Sequence, residues 1–249
     1  MANQDWSVDF VDRPKAQVSK DRAYTLTCKV YENGTQSVPS AGTITILGPG
    51  GGALPGSAVT GAAVTVDGAG TMTYALSAAN AASPGANYSA VWNPTIDSVV
   101  LEFFQLFDVV RYPLINVVQQ ADLVKHHADL TDVLFSGESN YQDYIEQAFQ
   151  DVYQVLENHG KRPYLVMDND SLRRPIEHKA LALIFRARFK EENDRWWNYW
   201  QIHETEYNDW MQAANFVYDW TESGTADGTS NYDSLSGEEG HNVGPKYRI

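Results

Sequence analysis

The chain has 249 residues, 43% of them apolar, and a formal net charge of −14, which suits one or two domains with cores of their own. The acidic balance excludes nucleic acid as a tightly held ligand, because gripping phosphates needs a cationic surface. Residues 111–249 carry most of the excess, with 13 Lys/Arg against 23 Asp/Glu, whereas residues 1–110 hold 5 against 9. The single cysteine, Cys28, excludes an intramolecular disulfide. The opening MANQDWSVDF has neither the basic start nor the apolar core of a secretion signal, and no apolar run approaches the roughly twenty residues that span a bilayer. A soluble protein made in a cytoplasm, without a membrane partner, is the expectation.

Residues 5–110 read as β-structure. Tyr24, Leu26, Cys28 and Val30 alternate with Thr25, Thr27, Lys29 and Tyr31, and Ile44 and Ile46 alternate with Thr43 and Thr45. Val64 and Val66 lead through Asp67-Gly68-Ala69-Gly70 into Met72, Tyr74 and Leu76. That is a hairpin signal, because Asp-Gly tolerates the positive φ of a tight turn. Tyr88, Ala90 and Trp92 share one face of a further strand. Val99 to Val110 is apolar on both faces, so it is expected to be buried on both sides or to meet the next domain with one of them. Six or seven short strands at this spacing predict a small β-sandwich of immunoglobulin-like shape over residues 1–112, with Cys28 as a core hydrophobe. Residues 48–63, GPGGGALPGSAVTGAA, lack the Gly-Lys-Ser/Thr ending of a phosphate-cradling loop and read as a long, mobile hairpin loop.

Arg111-Tyr112-Pro113 ends the strand pattern, and residues 113–220 predict a bundle of about four helices. The first runs from Asn116 to His127. The second starts at Ser139, with Gln142 in capping-box register, buries Tyr141, Ile145, Ala148, Val152, Val155 and Leu156, and stops at Gly160. After an extended crossing through Tyr164-Leu165-Val166, the third is capped by Asn169, Asp170 or Ser171. Either it begins at Pro175 or that proline costs one early hydrogen bond. The fourth opens near Asn193 with Asp194 suited to its dipole and continues to Trp220 through Trp196, Trp200, His203, Tyr207, Trp210, Ala214, Val217 and Tyr218. Apolar residues three and four apart share one helix face, which must be buried against something. Residues 221–249 are polar and glycine-rich and cannot form a core alone. They are disordered or are ordered by lying on another chain as an extended arm.

Nothing in the chain assembles into catalysis, so no enzyme and no cofactor is expected. No Glu has His three residues later, and His-Glu-x-x-His is absent. His126 and His127 are neighbours and would point apart on a helix, while His178 and His203 read as interior or interhelical hydrogen-bonders instead of metal ligands. Asp227-Gly-Thr-Ser-Asn231 with Asp233 lacks the spaced ligands and terminal Glu of a calcium loop. Arg173 and Arg174 oppose the dipole at a helix start. They call for acidic partners, either Asp168 and Asp170 nearby or another surface.

Four pieces in order resemble the head-to-tail connector (adaptor) proteins of tailed bacteriophages. Tyr141-Gln-Asp-Tyr-Ile-Glu-Gln-Ala148 begins a helix. Arg162-Pro-Tyr-Leu-Val166 crosses over. Ser171-Leu-Arg-Arg-Pro-Ile-Glu-His-Lys-Ala-Leu-Ala182 opens the long central helix, and Asn193-Asp-Arg-Trp196 opens the last. The resemblance covers residues 139–220, about a third of the chain, and the β-domain is an addition to it. It implies a virion protein of the neck, a homo-oligomeric ring, usually dodecameric, docked under the portal and offering its lower face to a stopper or tail-completion protein. DNA would pass through the ring without being gripped, since an acidic lumen repels phosphate. It further implies a C-terminal arm reaching the portal, with Tyr232, Leu235, Tyr247 and Ile249 as anchors, Lys246 and Arg248 as charge partners, and Trp220, Arg173 and Arg174 completing the contact surface with portal or neighbour. The rival expectation is a decoration or adhesin protein whose β-domain, chiefly residues 48–63, binds a host-surface glycan. A bacterial glycan-binding module stands third.

Overall fold

The computed structural model describes residues 5–10, 15–134, 138–190, 194–219, 221, 223 and 225–231. The chain divides into two compact units, Met1–Pro113 and Leu114–Ile249, the first built of strands and the second mainly of four α-helices. No described helix is long and apolar enough to cross a membrane.

The first unit contains β1 (Trp6–Phe10), β2 (Ala16–Ser19), β3 (Tyr24–Glu32), β4 (Thr35–Gln36), β5 (Ala41–Leu47), β6 (Val59–Ala63), β7 (Thr65–Val66), β8 (Thr71–Leu76), β9 (Gly85–Ile96), β10 (Val99–Val100) and β11 (Phe103–Val110). One sheet runs β1-β3-β8-β7 with β4 beside β3. The other runs β2-β11-β9-β5-β6 with β10 beside β9. Every pairing is antiparallel except that of β2 with β11. Alternate residues of both sheets meet in one core: Leu26, Cys28 and Val30 from β3, Ile44 and Ile46 from β5, Tyr88, Ala90 and Trp92 from β9, Phe107 and Val109 from β11. This period-two pattern is what makes a sandwich. Inside it, the Trp92 indole N–H donates to Gln105 Oε1 at 3.0 Å and Tyr88 stacks on Phe107. Burial, and then the nearby Asp9, push the Cys28 thiol up to about 12, so the sulfur behaves as a small hydrophobe.

Three features differ from the sequence pattern. Residues 99–110 are not one strand. Asp97 and Ser98 take positive φ and turn the chain so that β10 folds back on β9, and β11 starts only at Phe103. One face of β11 is in the core; on the other, Phe104 and Leu106 are 61% and 50% exposed while Asp108 and Val110 are buried, so only the first half of that face is open. The loop over 48–63 is shorter, since β6 occupies 59–63. The remainder is tied down: Gly48 N donates to Gly52 O, and the buried Asn80 amide donates to the carbonyls of Pro55 and Ser57 at 2.8 and 2.7 Å. In the β7–β8 hairpin the positive φ falls on Gly70 (+87°) instead of on Asp67-Gly68, while Asp67 Oδ1 accepts from the amides of Ala69 and Thr71.

The second unit holds α1 (Gln120–His126), α2 (Gln142–Asn158), α3 (Arg173–Arg188), α4 (Arg195–Ala213), β12 (Asn215–Tyr218) and β13 (Gly228–Asn231), with 3-10 turns at Ala128–Val133, Pro163–Leu165 and Asp170–Leu172. Its core gathers Ile145, Ala148, Val152 and Leu156 of α2, Ile176, Ala180, Leu181, Ile184 and Phe185 of α3, and Tyr207 and Met211 of α4. α2 begins at Gln142, not Ser139: Asn140 Oδ1 caps the Gln142 amide at 2.9 Å, and the Tyr141 side chain goes inward to donate to Leu130 O. α1 begins four residues after Asn116, whose side-chain oxygen accepts from the Val118 amide and holds a turn there. Pro175 is the third residue of α3, among the first four whose amides have no helical acceptor, so it forfeits no hydrogen bond. α4 ends at Ala213, not Trp220. Ala214 is extended, and Phe216 and Tyr218 are buried in strand alternation because β12 pairs with β13. The start of the expected C-terminal arm is therefore a strand of this same unit.

α2 closes as the sequence predicts. Gly160 takes φ +69°, its amide reaches Glu157 O, and the Lys161 amide reaches Leu156 O, the pair of bonds that defines a Schellman cap. Since a Cβ on Gly160 would meet nothing within 4 Å, Gly160→Ala carries only the backbone strain. It should lower stability by about 1–2 kcal/mol, measured by urea denaturation of the full chain.

Candidate functional site

α3 and α4 lie along each other in a seam of rings. Phe185 stacks on Trp196 and Phe189 on Trp200, at 5.8 and 5.3 Å between centroids. Cations cover the outer rings: Lys179 over Tyr207 at 4.8 Å, Arg186 over Trp200 at 6.0 Å and Arg195 over Trp196 at 3.9 Å. Lys179 also pairs with Glu204 at 3.3 Å. Asp194 caps α4 by accepting from the Trp197 amide at 2.6 Å. The buried line of α4 is His203, Tyr207 and Met211, spaced by four. Most of its tryptophan area is thus only half-buried, and Trp210 is exposed.

Where α1 ends against this seam, four histidines converge. His127 Nε2 meets His203 Nε2 at 2.7 Å, and His203 Nδ1 meets His178 Nδ1 at 3.0 Å. His126 packs edge-on against His178 and its Nε2 lies 3.1 Å from Glu177 Oε2. Glu177 is almost fully buried and also accepts from Arg174 Nη1 at 3.0 Å. His127 is wedged between the rings of Phe185 and Tyr199. Adjacent histidines were expected to diverge on a helix. They converge because α1 stops at His126, and His127 is its extended C-cap (φ −138°, ψ 99°).

Burial and the neighbouring His126 hold His178 down at about 4. Burial, with His127 and His178 beside it, holds His203 at about 3. His127 also lies below its ordinary value, chiefly through burial. These rings are therefore neutral near pH 7. A neutral imidazole has one N–H and one bare nitrogen, so His203 donates to one neighbour and accepts from the other. Both of its nitrogens are spent on other rings, and the contacts run in a line instead of around a centre. Among the described residues no group of three His, Cys, Asp or Glu is arranged to hold a metal ion.

Arg173 and Arg174 sit at the edge of this cluster and are engaged within the unit. Arg173 pairs with Asp170 at 3.0 Å and with Asp122 at 3.5 Å and donates to Val117 O. Arg174 serves Glu177 and lies over the Trp210 ring. Their acidic partners thus include Asp170, as the sequence suggested, but also the distant Asp122 of α1 and Glu177 one turn downstream. The other expected contact residues, Trp220, Tyr232, Leu235, Lys246, Tyr247, Arg248 and Ile249, lie outside the described residues.

No known protein family matches the sequence, and no curated protein does. Among solved structures the chain is similar to the filamin domain of Lin-41, at 12% identity over 42% of this chain and 92% of that one, with a TM-score of 0.27. At that score the likeness carries no argument, and the two-sheet description rests on the strand pairings themselves.

The depressed histidines tie stability to pH. Unfolded, each takes up a proton near 6.5, but folded, His178 and His203 do so only near 4 and 3. Between those values the unfolded chain holds more protons, so their contribution is complete above about pH 6.5 and drains as pH falls through 4 and 3. Each ring should raise the unfolding constant by up to about tenfold per pH unit in that window. Urea denaturation at pH 7, 6 and 5 should show this slope, and His203→Phe should flatten it.

Proposed function

We propose that this protein is a head-to-tail adaptor of a tailed-bacteriophage virion: a ring, dodecameric as in the family it resembles, docked beneath the portal and passing DNA to a stopper or tail-completion protein. The observation that carries the reading is the order of elements in the helical unit. Tyr141–Ala148 falls at the start of α2, Arg162–Val166 forms the crossing, Ser171–Ala182 leads through a 3-10 turn into α3, and Asp194 caps α4. These are the four pieces that carry the resemblance, each on the kind of element the family would put it. The acidic excess of residues 111–249 suits a channel wall along which phosphate slides. The N-terminal unit is an added sandwich of immunoglobulin-like type, and the residues beyond Asn231 form the arm that reaches the portal.

A second reading, a capsid-decorating or adhesin protein, is favoured by one feature of the β-unit. Val100, Phe104 and Leu106 are all at least half exposed and stand opposite Thr95, Val91 and Ser89 on the outward side of β9, and apolar side chains grouped on one surface often mark a binding face.

Gold labelling of a C-terminally tagged protein, with an N-terminal tag in parallel, separates the two in negatively stained particles. A single spot at the head–tail junction is expected. Label on fibre tips or over the capsid supports the second reading, and particles lacking the protein overturn both. Truncation after Asn231 keeps the β12–β13 pairing intact and should reduce binding to the purified portal at least tenfold. Unchanged binding would refute the arm.

A further inference from the structure

Three imidazoles carry six ring nitrogens, and the line His127–His203–His178 uses four of them in two contacts. A contact holds when one nitrogen of the pair bears hydrogen and the other is bare. The two contacts thus seat two N–H groups, and the outer nitrogens, Nδ1 of His127 and Nε2 of His178, seat two more. Three neutral rings supply three N–H groups. A first proton makes four, which the line still holds whichever way it is polarised. A second makes five, and one contact must then set N–H against N–H at 2.7 or 3.0 Å.

The two contacts are not equally supported. His203–His178 lies within the α3–α4 seam, where the stacked rings and the Lys179–Glu204 pair hold the helices together regardless. His127–His203 joins α4 to a helix of only seven residues, whose other ties to α3 include Asp122 on Arg173, His126 on Glu177, Arg174 and the His178 ring, and the His127 ring on Phe185. The weaker joint yields first. We propose that the histidine line is an acid-operated latch on α1, which admits one proton intact and parts at His127–His203 on the second, freeing the segment around His127 from α4.

The charged groups facing the rings modulate the latch without removing it. From α1 and the turn after it these are His126 and Asp129, and from α3 they are Arg174 and Glu177. Asp129 and Glu177 favour protonation, whereas His126 and Arg174 oppose it. α4 brings His203 itself to the line and sets the Tyr199 ring against His127. The Asp122 carboxylate lies below its ordinary range, chiefly through the Lys125 hydrogen bond, so its ion pairs survive the window in which the histidines charge. Asp151 of α2 is raised by burial but faces Lys179 and Glu204.

Hydrogen–deuterium exchange by mass spectrometry on the full-length protein, corrected for the intrinsic pH dependence of exchange, tests the latch. Amides of α1 and the following turn should lose at least about tenfold in protection between pH 6.5 and pH 4, with a slope approaching two protons, about 100-fold per pH unit at its steepest, while α3 amides hold. His127→Phe keeps a ring between Phe185 and Tyr199 but removes the α1 contact. Its α1 protection should be independent of pH over that window. Long-range 1H–15N spectra of histidine-labelled wild type supply a readout that needs no variant: the line of His127, His203 and His178 should hold at most one charged ring for as long as α1 stays protected. Flat wild-type protection of α1, an unaltered pH response in His127→Phe, or two charged rings in the line with α1 still protected would each overturn the proposal.

Discussion

α3 is enclosed by neighbours, and it is not wholly apolar. From Pro175 to Phe185 nearly every residue is buried, Glu177 and His178 among them. A buried carboxylate and a buried imidazole must be hydrogen-bonded or they cost several kcal/mol, and that requirement selects what packs on this helix. Glu177 needs hydrogen-bond donors and finds the Arg174 guanidinium and the His126 ring. His178 needs a complementary ring and finds His203. The end of α1 and the middle of α4 are thereby fixed at one level along α3. Leu, Ile and Ala faces alone tolerate sliding and repacking, whereas a satisfied polar set accepts one register.

The same helix concentrates positive charge in an acidic protein: Arg173, Arg174, Lys179, Arg186 and Arg188 against Glu177 alone. These cations are turned to carboxylates or to ring faces. Long basic side chains that lay their stems along rings cover apolar area that would otherwise meet water. A seam of half-buried tryptophans thus shows less apolar area to water than its ring count suggests. On the proposed function, it also leaves the uncompensated acidic groups elsewhere in the chain to set the sign of a channel wall.

Much of this architecture is legible in the residues. Period-two alternation at Leu26-Cys28-Val30 and Tyr88-Ala90-Trp92, the stripe Ile145-Ala148-Val152-Leu156, the acidic Asp194 at the start of α4 and the Gly160 stop all rest on local geometry, and all are present. What escaped depends on partners distant in sequence. Ala214, Val217 and Tyr218 continue the helical spacing of α4, yet β13 offers this stretch a ladder that buries Phe216 and Tyr218 instead, and pairing overrides periodicity. Of the histidine line, His178 and His203 were legible as interhelical hydrogen-bonders, but His127 was not, because it joins them only through the extended conformation that follows α1. A sequence assigns two neighbouring residues to diverging directions unless it is known that the helix ends between them. A histidine whose partner stands 76 positions away leaves no local signal at all.

The hairpin of β12 and β13 has a geometric consequence. Val166 bridges to Tyr218 and the Asp219 amide returns to Leu165 O, so the chain after α4 is anchored beside the crossing that leads into α3. β13 runs antiparallel to β12, with Gly228 opposite Tyr218 and Asn231 opposite Asn215. The hairpin therefore carries the chain away from the crossing and returns it, at Asn231, to the side of the α4 C-terminus.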